Sequence, residues 1–176
     1  KNIGGASIGR PYGGASFSAS AKGALAFNKA DPYHPAELAL LLPKGDMKQL
    51  TQLNAPLLDN RNLGRVEDVD YTSSVDGIDL QGWLIYPPNY DESRTYPLLV
   101  EIHGGPISNY GPRFTPELQL YAADGYVVFY PNMRGSTSYG EEFGDLLYHN
   151  YPGDDYQDIM DGVDLLIEKG ITSEDS

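Results

Sequence analysis

The segment with the clearest chemical potential is a glycine pair that follows an apolar run. Residues 97–103 are largely apolar and end in His103, and Gly104 and Gly105 come next. Glycines let the backbone turn sharply and leave its N–H groups facing a cleft with no Cβ in the way. Such a donor stabilises the negative charge of a tetrahedral intermediate by roughly 3–4 kcal/mol. The turn predicts an oxyanion hole for acyl transfer, with Gly105 as donor and Gly104 shaping the turn. An ordinary Gly-Gly-Pro loop is the alternative.

A serine in a Gly-x-Ser-x-Gly pattern is a second candidate. Ser7 lies between Gly5 and Gly9, the pattern of a nucleophile on a tight turn between a strand and a helix. Residues 10–14 contain a proline and two glycines, which do not open a regular helix. A loop rich in glycine and serine is the better interpretation, and Ser7 is not expected to be a nucleophile.

The histidines and the acids near the C-terminus give no catalytic base and no metal site. His103 is expected to hold the turn, while His34 is expected in a turn and His149 in a loop. The acids of the last predicted helix are Asp154, Asp155, Asp158, Asp161, Asp164 and Glu168. Their spacing does not match a calcium loop, so we predict a solvated helix face and neither metal nor cofactor.

The composition narrows the range of partners. The net charge is −13, which repels phosphate backbones and anionic lipids and so argues against nucleic-acid and membrane partners. The absence of cysteine excludes a disulfide framework and a cysteine nucleophile. No apolar run is long enough to span a bilayer. A soluble protein is expected, and the compartment stays open between cytoplasmic and periplasmic or secreted.

The chain has two regions that differ in their pattern of apolar and turn-forming residues. Residues 1–60 contain short apolar stretches separated by Gly and Pro turns, which predicts an antiparallel β unit that needs further β units to bury its faces. The stretches are 15–19, 24–28 and 37–42, and residues 54–64 are interpreted as a connector.

Residues 61–176 predict an incomplete α/β domain. A hairpin of 66–71 and 78–85 turns at Asp76-Gly77, and strands are predicted over 97–103, as a buried central strand, and over 126–130, stopped by Pro131. A helix over 115–124 has Thr115 as N-cap and Gly125 past its end. The last helix places its apolar residues at 3.6-residue spacing; they are Tyr156, Ile159, Met160, Val163, Leu166 and Ile167.

Three blocks carry a resemblance to a known family. They are residues 96–106, around His103-Gly104-Gly105-Pro106, residues 125–140, around Asn132-Met133-Arg134-Gly135-Ser136, and residues 155–164. Together, in this order and spacing, they resemble the prolyl oligopeptidase family of serine peptidases, chiefly its acylaminoacyl-peptidase-like and dipeptidyl-peptidase-like branches. The resemblance covers nearly the whole chain and is weakest over residues 1–20.

The resemblance implies an α/β-hydrolase fold preceded by the terminal blade of a β-propeller, over residues 61–176 and 1–60 respectively. It implies a serine peptidase acting on short peptides through a Ser-Asp-His triad that lies beyond residue 176, so the chain as given is expected to be inactive. Further partners would be the rest of its own chain, that is, the remainder of the propeller and of the hydrolase domain, and a second copy of the protein in a homo-oligomer. An esterase on the same fold and a non-catalytic protein-binding homologue are the alternatives.

Two residues outside the turn are also singled out. Phe143 stands where the family often has a tryptophan that lines the pocket for the residue before the scissile bond, and a core phenylalanine is the equal alternative. Arg134 is expected to hold its loop through carboxylate pairing rather than to bind substrate.

Overall fold

The computed structural model describes residues 16–105 and 108–175. The Gly-x-Ser-x-Gly pattern at Ser7 lies outside them. The chain divides into two compact units, one running to Leu63 and including Gly111–Glu117, the other formed by Gly64–Tyr110 and the chain from Leu118 onward.

The first unit is an antiparallel meander. Its strands β1 (Phe17–Ala19), β2 (Leu25–Asp31), β3 (His34–Leu41) and β4 (Met47–Gln49) pair in chain order. The predicted β unit is confirmed, and β4 is a strand that the apolar pattern did not predict. A one-turn helix, α1 (Ala55–Leu58), lies in the predicted connector.

A carboxylate joins this sheet to the start of α1. The side chain of Glu37 is buried and accepts hydrogen bonds from the Thr51 hydroxyl and from the backbone N–H and side-chain amide of Asn54. The Thr51 bond is the chief reason that the pKa of Glu37 falls from 4.5 to about 2.

The second unit contains a mixed sheet with the order β5-β6-β8-β7. Its strands are β5 (Val66–Thr72), β6 (Asp79–Ile85), β7 (Leu98–Val100) and β8 (Val127–Asn132). The hairpin β5–β6 is confirmed, β6 and β8 are antiparallel, and β7 and β8 are parallel.

Helices cover both faces of this sheet. Side chains alternate along a strand, so Leu84 and Phe129 pack on one face with Leu166 of helix α4 (Asp155–Glu168). Trp83 and Tyr130 pack on the other face with Leu118 and Ala122 of α2 (Pro116–Ala123). A shorter helix, α3 (Glu141–Asp145), follows β8. The α/β arrangement of this unit agrees with the prediction.

Several local predictions were wrong. Strand β7 has three residues, is half-buried, and has β8 as its single strand partner among the described residues, so it is not a buried central strand here. Pro131 lies inside β8 rather than ending it. On the β7 side, β8 is paired only as far as Phe129, so no acceptor of β7 lies opposite Pro131. The missing N–H of the proline is therefore tolerated there. The Thr115 hydroxyl has no hydrogen-bond partner in the described residues and does not cap α2.

The face of α4 also differs from the prediction. Ile159 and Leu166 are buried as expected, but Tyr156 is exposed, and Asp155 and Asp158 are buried. The acids are therefore not a uniformly solvated face. No described helix has both the length and the apolar character needed to cross a bilayer.

Candidate active site

The glycine turn lies just beyond the carboxyl end of β7. Gly104 and Gly105 are both exposed, and Gly105 has a φ of +145°, a conformation that side chains rarely adopt. Within residues 16–105 and 108–175, no acceptor bonds to the N–H of either glycine. An oxyanion hole requires N–H donors that are not already used by protein acceptors, and the two glycines meet this condition within the described residues.

The side chain of His103 holds the start of this turn. It is 3% exposed, and its Nε2 lies 2.9 Å from the Ser136 hydroxyl. That hydroxyl donates to the Met133 carbonyl at 2.7 Å, so Ser136 accepts the Nε2 proton. Burial lowers the pKa of His103 below 6.5, against the opposing effects of the Gly104 carbonyl and the Asn132 side chain. His103 is thus a buried support of the turn, as its sequence position suggested, and burial disfavours its charged form.

The loop after β8 meets the loop after β7 at further points. The Thr137 N–H donates to the Ser108 carbonyl at 2.9 Å, and the Thr137 hydroxyl lies 3.1 Å from the Asn109 amide oxygen. Asn132 bonds to both backbone groups of Tyr110. Residues 108–110 are therefore fastened to the end of β8 and to the loop that follows it.

Arg134 fastens the same loop from the opposite side. Its guanidinium makes a two-point contact with Asp158, at 2.8 and 2.9 Å, and another with Asp76, at 3.1 Å for both bonds. A further bond reaches the Ser73 hydroxyl at 2.9 Å. Hydrogen bonding to Asp158 is the main cause of the raised Arg134 pKa. Carboxylate pairing by Arg134 is confirmed.

Phe143, the candidate substrate wall, belongs in part to the core. It is half-buried against the core cluster that contains Leu84 and Phe129, and its ring lies 5.0 Å from the ring of Tyr139. Among the described residues, no hydrogen bond or ring contact joins Phe143 to the glycine turn. Its role as a substrate wall stays a prediction.

Sequence reasoning missed two supporting residues. Asn132 and Ser136 are each 1% exposed and bond to the loop that carries the turn. Both lie in a block that carried the family resemblance, but nothing local assigned them a role. For Asn132, the available signal was a polar residue at the end of the apolar strand that became β8. No group of metal-ligating side chains occurs in the described part of the chain.

Comparisons with known proteins agree with this architecture. Residues 112–176 match the model of the prolyl oligopeptidase family. The uncharacterized peptidase YuxL of Bacillus subtilis is 38% identical over 138 residues, covering 78% of this chain and 21% of that protein. Dipeptidyl-peptidase 5 of Aspergillus fumigatus is 34% identical over 121 residues, covering 66% and 16%.

A solved structure is similar over most of the chain. The acylaminoacyl peptidase of Pyrococcus horikoshii is 33% identical with a TM-score of 0.77, covering 87% of this chain and 24% of that one. The resemblance to the prolyl oligopeptidase family is thereby confirmed. The chain spans about a fifth of the length of the curated relatives it matches.

Proposed function

From the match of residues 112–176 to the prolyl oligopeptidase family, we propose that the full-length protein is a serine peptidase that cleaves short peptides by acyl transfer. Residues 1–60 would be the last part of a β-propeller and residues 61–176 the first half of an α/β-hydrolase domain. The sheet order β5-β6-β8-β7, with the turn at the carboxyl end of β7, supports this assignment.

The observation that carries the proposal is the pair of exposed residues Gly104 and Gly105, whose N–H groups bond to no acceptor among the described residues. A serine beyond residue 176 attacks the scissile carbonyl, and a histidine takes its proton. The carbonyl oxygen becomes an oxyanion, which the Gly105 N–H stabilises. Collapse of the intermediate expels the amine with the proton from the histidine, and water then releases the acyl group by the same steps. Phe143 would offer a flat apolar wall to the side chain before the scissile bond.

Labelling with a fluorophosphonate tests the nucleophile in the full-length protein. We expect one serine to be labelled and short peptide amides to be hydrolysed. Cleavage of esters but not of the matching amides would indicate an esterase instead. A full-length protein that neither labels nor hydrolyses would refute the enzyme proposal and favour a binding homologue.

Replacing Gly105 tests the donor. Gly105→Ala puts a side chain on a backbone at φ +145°, so the turn must shift and the N–H leaves its position. We expect kcat to fall about 10²- to 10³-fold, the cost of losing one oxyanion donor. Gly45→Ala is the matched control, because Gly45 also has a positive φ, +92°, and lies in a turn of the first unit. Equal kcat in wild type and Gly105→Ala would refute the expectation that the turn needs a glycine at position 105 to place its N–H donor.

A further inference from the structure

One amide side chain contacts both loops of the candidate site. Asn132 is the last residue of β8 and is 1% exposed. Its Oδ1 accepts the Tyr110 N–H at 2.8 Å, and its Nδ2 donates to the Tyr110 carbonyl at 3.1 Å and to the Tyr139 hydroxyl at 2.8 Å. A backbone N–H only donates and a carbonyl only accepts, so the amide has a single orientation.

The hydrogen bonds to Tyr110 link Asn132 to the glycine turn. Tyr110 closes the loop that Gly104 and Gly105 open, and its ring stands edge-on to the His103 ring at 5.0 Å. Fixing the backbone of Tyr110 therefore fixes the ring that packs against His103, and Ser136 holds His103 through its Nε2.

The hydrogen bond to Tyr139 links Asn132 to the aromatic wall formed by Tyr139 and Phe143. The Tyr139 hydroxyl accepts from Asn132 and donates to Gln81 Oε1 at 2.9 Å. The Tyr139 ring contacts Phe143. Asn132 thus fixes the orientation of the tyrosine against which the candidate substrate wall packs.

We propose that Asn132 is a positioning residue that couples the aromatic wall of Tyr139 and Phe143 to the oxyanion turn. The inference rests on the proposed function. Asn132 touches no reacting atom; it acts through Tyr110 on the turn and through Tyr139 on the wall. Losing its two donor bonds leaves the Tyr110 carbonyl without this partner in a buried site.

The first test is Asn132→Asp in the full-length enzyme. Aspartate has the same shape and still accepts from the Tyr110 N–H, but as a carboxylate it donates nothing. We expect kcat per fluorophosphonate-titrated serine to fall up to about 10²-fold, the effect of displacing a catalytic group by about 1 Å. Asn60→Asp is the control, since it adds the same charge at an exposed position.

The pH profile separates positioning from general damage. When the new carboxyl group of the Asn132→Asp variant is protonated, it regains one O–H donor, so the ratio of variant to wild-type kcat should rise as the pH falls. A purely structural defect would lower the fraction of titratable serine and leave this ratio flat.

The second test is Tyr139→Phe, which removes the hydroxyl of a 37% exposed side chain and keeps its ring. We expect KM for a peptide with an apolar residue before the scissile bond to rise at least about 2- to 10-fold, the net effect of a single hydrogen bond, because the hydroxyl bonds to both Asn132 and Gln81. Tyr156→Phe, at an exposed position, is the control.

The outcomes are distinct. An unlabelled, inactive wild-type protein refutes the proposed function and the inference with it. An active wild type whose kcat per titrated serine is unchanged by Asn132→Asp overturns the inference alone. If Asn132→Asp does not fold, Tyr139→Phe decides, and a wild-type KM overturns the inference.

Discussion

Replacing Arg134 should loosen the loop that supports the candidate site. Arg134 and Asp158 are 3% and 0% exposed, so Arg134→Met leaves a buried carboxylate without its main partner. Removing one member of a buried ion pair costs about 3–5 kcal/mol. The bonds to Asp76 and Asp154 add little to this figure, because those carboxylates are 39% and 46% exposed and water screens them.

Hydrogen exchange in the full-length protein measures this loss locally. Peptides covering residues 127–168 should exchange roughly 10²- to 4 × 10³-fold faster in Arg134→Met, since each 1.4 kcal/mol is a factor of ten. The exchange rates in Arg134→Lys should lie between those of wild type and Arg134→Met, because an ammonium keeps the charge but cannot make two-point contacts with Asp158 and Asp76 together. Arg61→Met, at an exposed position, should stay within about 0.5 kcal/mol of wild type. A change below about 1 kcal/mol in Arg134→Met would refute the reasoning.

Three further predictions follow from single contacts. Gly162→Ala should destabilise the protein by about 1–3 kcal/mol in thermal unfolding, because its Cβ would lie 2.6 Å from the Phe129 ring. The Cβ of Gly144→Ala in α3 meets nothing within 4 Å, so this variant should be more stable by about 0.5–1 kcal/mol. Changes in unfolding free energy of the same sign for both variants would contradict the packing. Glu37→Gln should remove a contribution to stability that is complete above pH 4.5 and lost as the pH falls through about 2; acid unfolding followed for the first unit should show no difference below pH 2. His103 should titrate below pH 6.5 by NMR because burial lowers its pKa, and the stability linked to it should fall as the pH drops below 6.5; a midpoint above 6.5 would exclude a buried neutral ring.

Local chemistry made the hairpin and the glycine turn predictable. Asp76-Gly77 predicts a tight turn between two alternating strands, and Gly77 has a φ of +79° there. In the His-Gly-Gly turn, Gly105 has a φ of +145°, a conformation that residues with a Cβ rarely adopt, and the glycine itself reveals this in the sequence. Each of these features depends on neighbours in sequence, so each is visible in a short window.

The buried face of α4 could not be predicted in the same way. Asp158 occupies a helix position that the apolar pattern assigned to solvent. It is buried because Arg134, distant in sequence, supplies three hydrogen bonds and an opposite charge. Tyr156, in turn, fits the 3.6-residue pattern but stays exposed. A periodicity identifies apolar residues; it does not reveal a polar partner on another element.

The residues that support the glycine turn can be located from the strand topology, although no sequence motif identifies them. Strands β7 and β8 are parallel neighbours, so the loops that leave their carboxyl ends begin at one edge of the sheet, where α/β folds place their sites. The turn after β7 must then lie beside whatever follows β8. The pairing continues one step past β7, through the bond from the Glu101 N–H to the Phe129 carbonyl, and this brings the turn level with Asn132. Once β7 and β8 are assigned as parallel neighbours, the buried polar residues at the end of β8 become the candidates for positioning the oxyanion donor.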